Sequence, residues 1–168
     1  LALSALRFSY TAGPGGHRLH NASAATPWGR ATLDATMEAG SPFEIEGTGT
    51  LERAEATVRA RAVVHPLADV KLRMLEAGAP GIDLKRIDAR LPRTSIDVLV
   101  RGRGTADELL AGTATATNKD PGPIDAGQLP VRSLEARFSY KDALLALPVL
   151  EASAAGGALS GTKVAGPG

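Results

Sequence analysis

Apolar and polar residues alternate along much of this chain. Between Arg53 and Val64 the even positions are Ala54, Ala56, Val58, Ala60, Ala62 and Val64. The odd positions are Arg53, Glu55, Thr57, Arg59 and Arg61, with Val63 as the exception. A period of two puts one set on each face of a single long strand; a helix would scatter both sets around its axis. The alternation recurs in Leu6, Phe8 and Tyr10, in Ala31, Leu33, Ala35 and Met37, in Ile96, Val98 and Val100, and in Ala136, Phe138 and Tyr140. A weaker version runs through Leu145, Leu147 and Val149. Turn signals separate these runs at Gly13–Gly16, Gly40–Pro42, Gly78–Gly81 and Asp120–Pro123. One-sided strands with short connections predict an all-β, mainly antiparallel, meandering sheet with one apolar face.

Two segments are ambiguous. Leu67–Met74 fits helical spacing through Leu67, Val70 and Met74, and strand spacing through Val70, Leu72 and Met74. Its neighbours favour a strand. Thr105-Ala-Asp-Glu108 has the form of a capping box, but Gly112 limits any helix to about one turn.

The chain also echoes itself. Arg7-Phe8-Ser9-Tyr10 returns as Arg137-Phe138-Ser139-Tyr140, and Ala22-Ser23-Ala24-Ala25 as Ala152-Ser153-Ala154-Ala155. Both copies are displaced by the same 130 residues (137 − 7 and 152 − 22). Residues 7–25 and 137–155 therefore read as one recurring stretch within a single repetitive unit covering 1–168, the mark of a quasi-one-dimensional architecture. The first residues do not form a signal peptide, and the chain reads as a fragment of a longer protein.

Composition narrows the function. Hydrophobic residues make up 43% of the 168, yet aromatics only 4%. Leu, Ile, Val and Phe reach about 23%, just above the ~20% below which disorder is the default, so the apolar layer is thin. Lys and Arg number 19 against 18 Asp and Glu, with no basic stripe of the kind nucleic acid requires. With no cysteine there is neither a disulfide framework nor a thiolate metal site.

The candidate chemical motifs read as structure. His17 and His20, three apart on a strand, point to opposite faces and form no metal pair. Gly102-Arg103-Gly104 lacks the third glycine and following helix of a dinucleotide loop, and reads as a turn. No Gly-x-Ser-x-Gly elbow is present. The sequence points to no enzyme, catalytic residue, metal or cofactor. The apolar face remains, and it suits either the core of a sandwich or a groove holding an apolar ligand.

The run Leu91-Pro-Arg-Thr94, the Gly-Thr-Ala-Thr-Ala-Thr-Asn stretch at 112–118, the segment Asp120-Pro-Gly-Pro-Ile-Asp-Ala-Gly-Gln-Leu-Pro-Val131 and the closing Leu150-Glu-Ala-Ser-Ala-Ala-Gly-Gly-Ala-Leu-Ser-Gly161 together resemble the TamB family. TamB is the inner-membrane subunit of the bacterial translocation and assembly module and is akin to AsmA-like proteins. The resemblance implies a twisted sheet curled into an open groove, a β-taco or tube with an apolar interior. It implies a periplasmic body in a parent protein anchored in the inner membrane of a Gram-negative bacterium, paired with a TamA-like outer-membrane barrel. It implies a hydrophobic conduit for phospholipid acyl chains that supports outer-membrane biogenesis. The alternative it leaves is a scaffold cradling β-strands of outer-membrane protein clients, autotransporters among them. The candidate groove-lining residues are Leu6, Phe8, Tyr10, Ala54, Ala56, Val58, Ala60, Ala62, Val64, Ile96, Val98, Val100, Ala136, Phe138 and Tyr140.

Overall fold

The computed structural model describes residues 4–27, 29–38, 43–53, 56–106, 109–141, 144–154 and 157–165. Eleven strands follow one another: β1 (Ser4–Gly13), β2 (Gly16–Thr26), β3 (Gly29–Glu38), β4 (Glu44–Arg53), β5 (Ala56–Val64), β6 (Leu72–Ile82), β7 (Ile96–Arg103), β8 (Leu110–Asn118), β9 (Val131–Lys141), β10 (Leu144–Ala154) and β11 (Gly157–Ala165). They form one antiparallel sheet whose spatial order is the sequence order. The sheet is open, since β1 and β11 lie at opposite edges and do not pair. Among the described residues helix is confined to one turn, α1 (Leu84–Ile87), and a 3-10 turn at Ile124–Ala126.

Pairing fixes the faces, because directly opposed residues of antiparallel strands project to the same side. From Met37↔Ile45↔Val64 and Leu51↔Val58 the register passes through Ala60↔Ala77↔Val100↔Ala114↔Ala136 to Leu150. Toward the other edge it reaches Met37↔His17 and Ala35↔Leu19↔Tyr10. One apolar face thus crosses all eleven strands. Thr, Ser, Arg, Asp and Glu predominate on the other, as in Thr32↔Thr50↔Arg59 and Arg61↔Glu76↔Arg101↔Thr113, with Val63, Met74 and Leu99 among them. No second layer packs on either face among the described residues. The only buried apolar residues there are Ala22, Ala79 and Ala136.

Three local readings change. Residues 66–70 are turn and bend, and β6 begins only at Leu72. Pro66 lacks an amide donor, and the loop closes on itself through His65 N–H to the Lys71 carbonyl at 2.7 Å. Gly78–Gly81, which reads as a turn, instead lies inside β6. Pro80-Gly81 forms a bulge there, shifting the register between Ala79↔Val98 and Ile82↔Ile96. The bulge needs a positive φ, and Gly81 supplies +65° without a Cβ penalty. Gly102 and Arg103 belong to β7 and do not form a turn. Gly102 is small because the Leu110 side chain lies over it, 2.7 Å from where a Cβ would stand. Part of the capping-box segment, residues 107 and 108, lies outside the described residues, as do Ala54 and Gly40–Pro42.

Candidate functional site

The pairing places Phe8, Tyr10, Ala56, Val58, Ala60, Ala62, Val64, Ile96, Val98, Val100, Ala136, Phe138 and Tyr140 on the single apolar face. Leu6 stands two residues before Phe8 on the same strand. The lining is small across the middle of the sheet, where alanines face alanines in Ala60↔Ala77 and Ala114↔Ala136. It is bulkier toward the ends, with Tyr140 opposite Leu110 and Leu145. Central members such as Val58, Val98 and Val100 are half-buried by their lateral neighbours. The β1 members are exposed, Phe8 by 58% and Tyr10 by 51%.

Exposed Tyr10 also stacks on His17, its ring centroid 5.8 Å away, and its hydroxyl hydrogen-bonds His17 Nδ1. His17 is opposite Met37 on the apolar face, whereas His20 is opposite Ser9 on the polar one. Among the described residues no cluster of His, Asp and Glu could hold a metal ion. Nor is any helix long and apolar enough to cross a membrane.

A recess of about 910 Å³ lies on the polar face. Thr32 on β3, Thr50 on β4, Arg59 on β5, Leu99 on β7 and Thr115 on β8 all border it. In a flat sheet β3 and β8 would stand roughly 24 Å apart, five intervals of ~4.8 Å, so the sheet curls for both to border one recess. Ala60 and Val98 also touch its wall, although their pairing sends their side chains to the apolar face. Sequence alternation marked this face only as solvated; the curl that hollows it comes from long-range twist, which no local pattern encodes.

Several charges along the polar face are paired. Arg61 Nε meets Glu46 Oε1 at 2.6 Å, Arg101 Nε meets Glu76 Oε2 at 3.3 Å, and Lys119 Nζ meets Asp97 Oδ2 at 2.6 Å. The hydrogen bond from Lys119, then that from the Gly81 amide, holds the Asp97 carboxyl below its ordinary range. Asp97 also serves a backbone purpose: Gly81 N–H, at the β6 bulge, donates to its Oδ1 at 2.9 Å. The same device appears on β2. Asn21, with φ +51°, sits at a register shift, and its N–H donates to Asp34 Oδ1 at 2.8 Å. In both cases an aspartate on the neighbouring strand takes an amide at the irregularity in the ladder.

The two connections at one end of the sheet are locked by two buried polar side chains. Thr94 Oγ1 donates to the Ile82 carbonyl at 3.0 Å and accepts from Leu84 N–H at 2.9 Å. Asn118 accepts from Ser95 and Asp120 amides and donates to the Leu129 and Val131 carbonyls. These contacts organise loops, and no reacting constellation surrounds them. No protein-family model, curated protein or solved structure matches the chain.

Proposed function

We propose that this chain is a segment of a periplasmic hydrophobic conduit, and that its apolar face carries phospholipid acyl chains. The supporting observation is the apolar face that crosses the sheet, interrupted at His17 and Asn118, with no covering layer among the described residues. Exposing an acyl chain to water costs roughly 0.8 kcal/mol per CH₂. A strip of Ala, Val and Leu offsets that cost along the way and needs no pocket of fixed shape. In this reading the parent protein is anchored in the inner membrane and hands its cargo toward a TamA-like outer-membrane barrel. The test is to purify the chain from a Gram-negative periplasm and identify co-purifying lipid by mass spectrometry, alongside Val58→Asp and Val98→Asp. A carboxylate in the strip must shed its hydration to let an acyl chain pass, which is strongly unfavourable. Wild type should retain phospholipid, and the variants should fold and lose it. Wild type free of lipid and unable to bind a fluorescent fatty acid would end the proposal.

A further inference from the structure

We infer that a notch between β5 and β6 seats the head group of a zwitterionic phospholipid, a phosphate diester beside a primary ammonium. This inference rests on the acyl-chain reading of the apolar face and names where such a lipid is held by its polar end.

The notch opens where the β5–β6 ladder ends. β4 and β5 pair as far as Arg53↔Ala56, and β6 and β7 as far as Ile82↔Ile96. Between β5 and β6 pairing stops at Arg59↔Gly78, so among the described residues Ala56 to Val58 have no paired residue on β6. Pro80 offers no amide donor, and the bulge at Pro80-Gly81 bends β6 at this level. The gap between Ala56 and Gly81-Ile82 deepens into a recess of about 370 Å³, walled also by Asp83, Arg86, Arg93 and Asp120.

Two aspartate–arginine couples border the recess, and they share one arrangement. Each aspartate commits Oδ1 to the fold. Asp83 Oδ1 accepts from the Lys85 and Thr94 amides at 3.1 Å, and Asp120 Oδ1 accepts from Gln128 Nε2 at 3.1 Å. Each Oδ2 stands off from its arginine, Asp83 at 3.8 Å from Arg86 Nε and Asp120 at 3.9 Å from Arg93 Nε. These spacings exceed a hydrogen bond. Elsewhere in the chain Arg61–Glu46, Lys119–Asp97 and Arg90–Asp88 close to 2.6 Å.

The charges lining the recess are thus two of each sign among the described residues. A bare phosphate would meet both carboxylates, and a simple cation both guanidiniums. A group carrying both charges satisfies all four. Guanidinium N–H groups grip phosphate oxygens as a fork, and each carboxylate Oδ2 can accept from an ammonium. The wall also holds Ile82, opposite Ile96 on the apolar face, and Ala56, two residues before Val58 on that face. A head group in the notch therefore delivers its acyl chains onto the strip.

The test is calorimetric binding of water-soluble probes to the purified chain. Dihexanoyl phosphatidylethanolamine carries both parts, dihexanoylglycerol the chains alone, and glycerophosphoethanolamine the head group alone. The Arg86 and Arg93 side chains are 62% and 72% exposed, so replacing both together (Arg86→Gln, Arg93→Gln) spares the fold. Wild type should bind the phosphatidylethanolamine about ten-fold more tightly than dihexanoylglycerol, and the double variant should bind both alike. Asp120→Asn, which keeps Oδ1, should lose the preference for phosphatidylethanolamine over dihexanoyl phosphatidylglycerol, which lacks the ammonium. Absence of these preferences in wild type, or their persistence in the variants, overturns the inference, while binding of dihexanoylglycerol keeps the acyl-chain reading. Failure of every lipid to bind overturns both. Glycerophosphoethanolamine binding as tightly as the lipid would mark a soluble ligand and overturn the head-group assignment.

Discussion

Replacing Asn118 with leucine isolates the lock that joins the β8–β9 connection to the rest of the sheet. Asn118 is 7% exposed and closes the end of β8 opposite Ile96. Its amide makes four hydrogen bonds of 3.1 to 3.3 Å, to Ser95, Asp120, Leu129 and Val131. Leucine keeps the forked shape but is bulkier, so two N–H groups and two carbonyls lose their partner and overpacking adds to the cost. At a net ~1 kcal/mol per hydrogen bond, and with water reaching some of the orphaned groups, the loss should be about 3 kcal/mol. For a chain of this size that corresponds to a fall in melting temperature of roughly 6–12 °C. The sheet is quasi-one-dimensional, each strand contacting only its neighbours, so the damage should be local. Hydrogen exchange should accelerate at residues 119–131 and change little in β2–β4. Asn118→Asp adds a check of sign. Its second carboxylate oxygen would face the Leu129 and Val131 carbonyls, so the deficit relative to wild type should shrink as acid protonates it. An unchanged midpoint with unchanged exchange at 119–131 would refute the account.

The bulge clamps make further tests. Gly81→Ala should destabilise by about 1 kcal/mol through its positive φ alone, since nothing lies within 4 Å of the added Cβ; urea denaturation measures it, and a stabilising effect would count against the bulge. Asp34→Ala should release the Asn21 amide and speed exchange there without disturbing β7. The depressed Asp97 carboxyl contributes stability that is complete above the ordinary carboxylate range near pH 4 and is lost as acid carries the pH down through its lower folded value. Asp97→Asn should therefore flatten the acid limb of the stability profile, and an unaltered limb would dismiss the Lys119–Asp97 pair as a contributor.

Period-two alternation made the sheet, its antiparallel order and the membership of its apolar face legible in the sequence, because strand faces follow from residue parity alone. It misplaced Gly78–Gly81 because a glycine-proline cluster signals a break whether the chain turns or only bulges. It misplaced residues 67–71 because the apolar spacing there reflects no pairing partner. The aspartate clamps on Asn21 and Gly81 could not be seen beforehand: each joins residues 13 or 16 positions apart whose apposition depends on register. The polar recess was equally hidden, since Thr32 and Thr115 come to one hollow only through cumulative curl.

The recess and the apolar strip lie on opposite sides of a single layer of strands, so one phospholipid cannot fill both. If acyl chains lie on the strip, the head group must sit in solvent or at a rim, and the hydroxyl-lined hollow is not its seat. Arg59 tests this. Its exposed side chain borders the recess, between Thr50 and Gly78 in the paired row, whereas its neighbour Val58 faces the strip opposite Leu51. Arg59→Ala and Val58→Asp are therefore adjacent changes on opposite faces. The alanine substitution should leave fatty-acid binding within about two-fold of wild type, since it removes no apolar lining and exposed charges contribute little. The aspartate should abolish binding while shifting the melting temperature only modestly, because a half-exposed carboxylate on an open sheet keeps part of its hydration. Loss of binding from Arg59→Ala with retention in Val58→Asp would place the ligand in the hollow and reverse the assignment of faces. A collapse of the fold in Val58→Asp would instead mean that the strip is a sealed core, covered by something that packs on it as a second layer would.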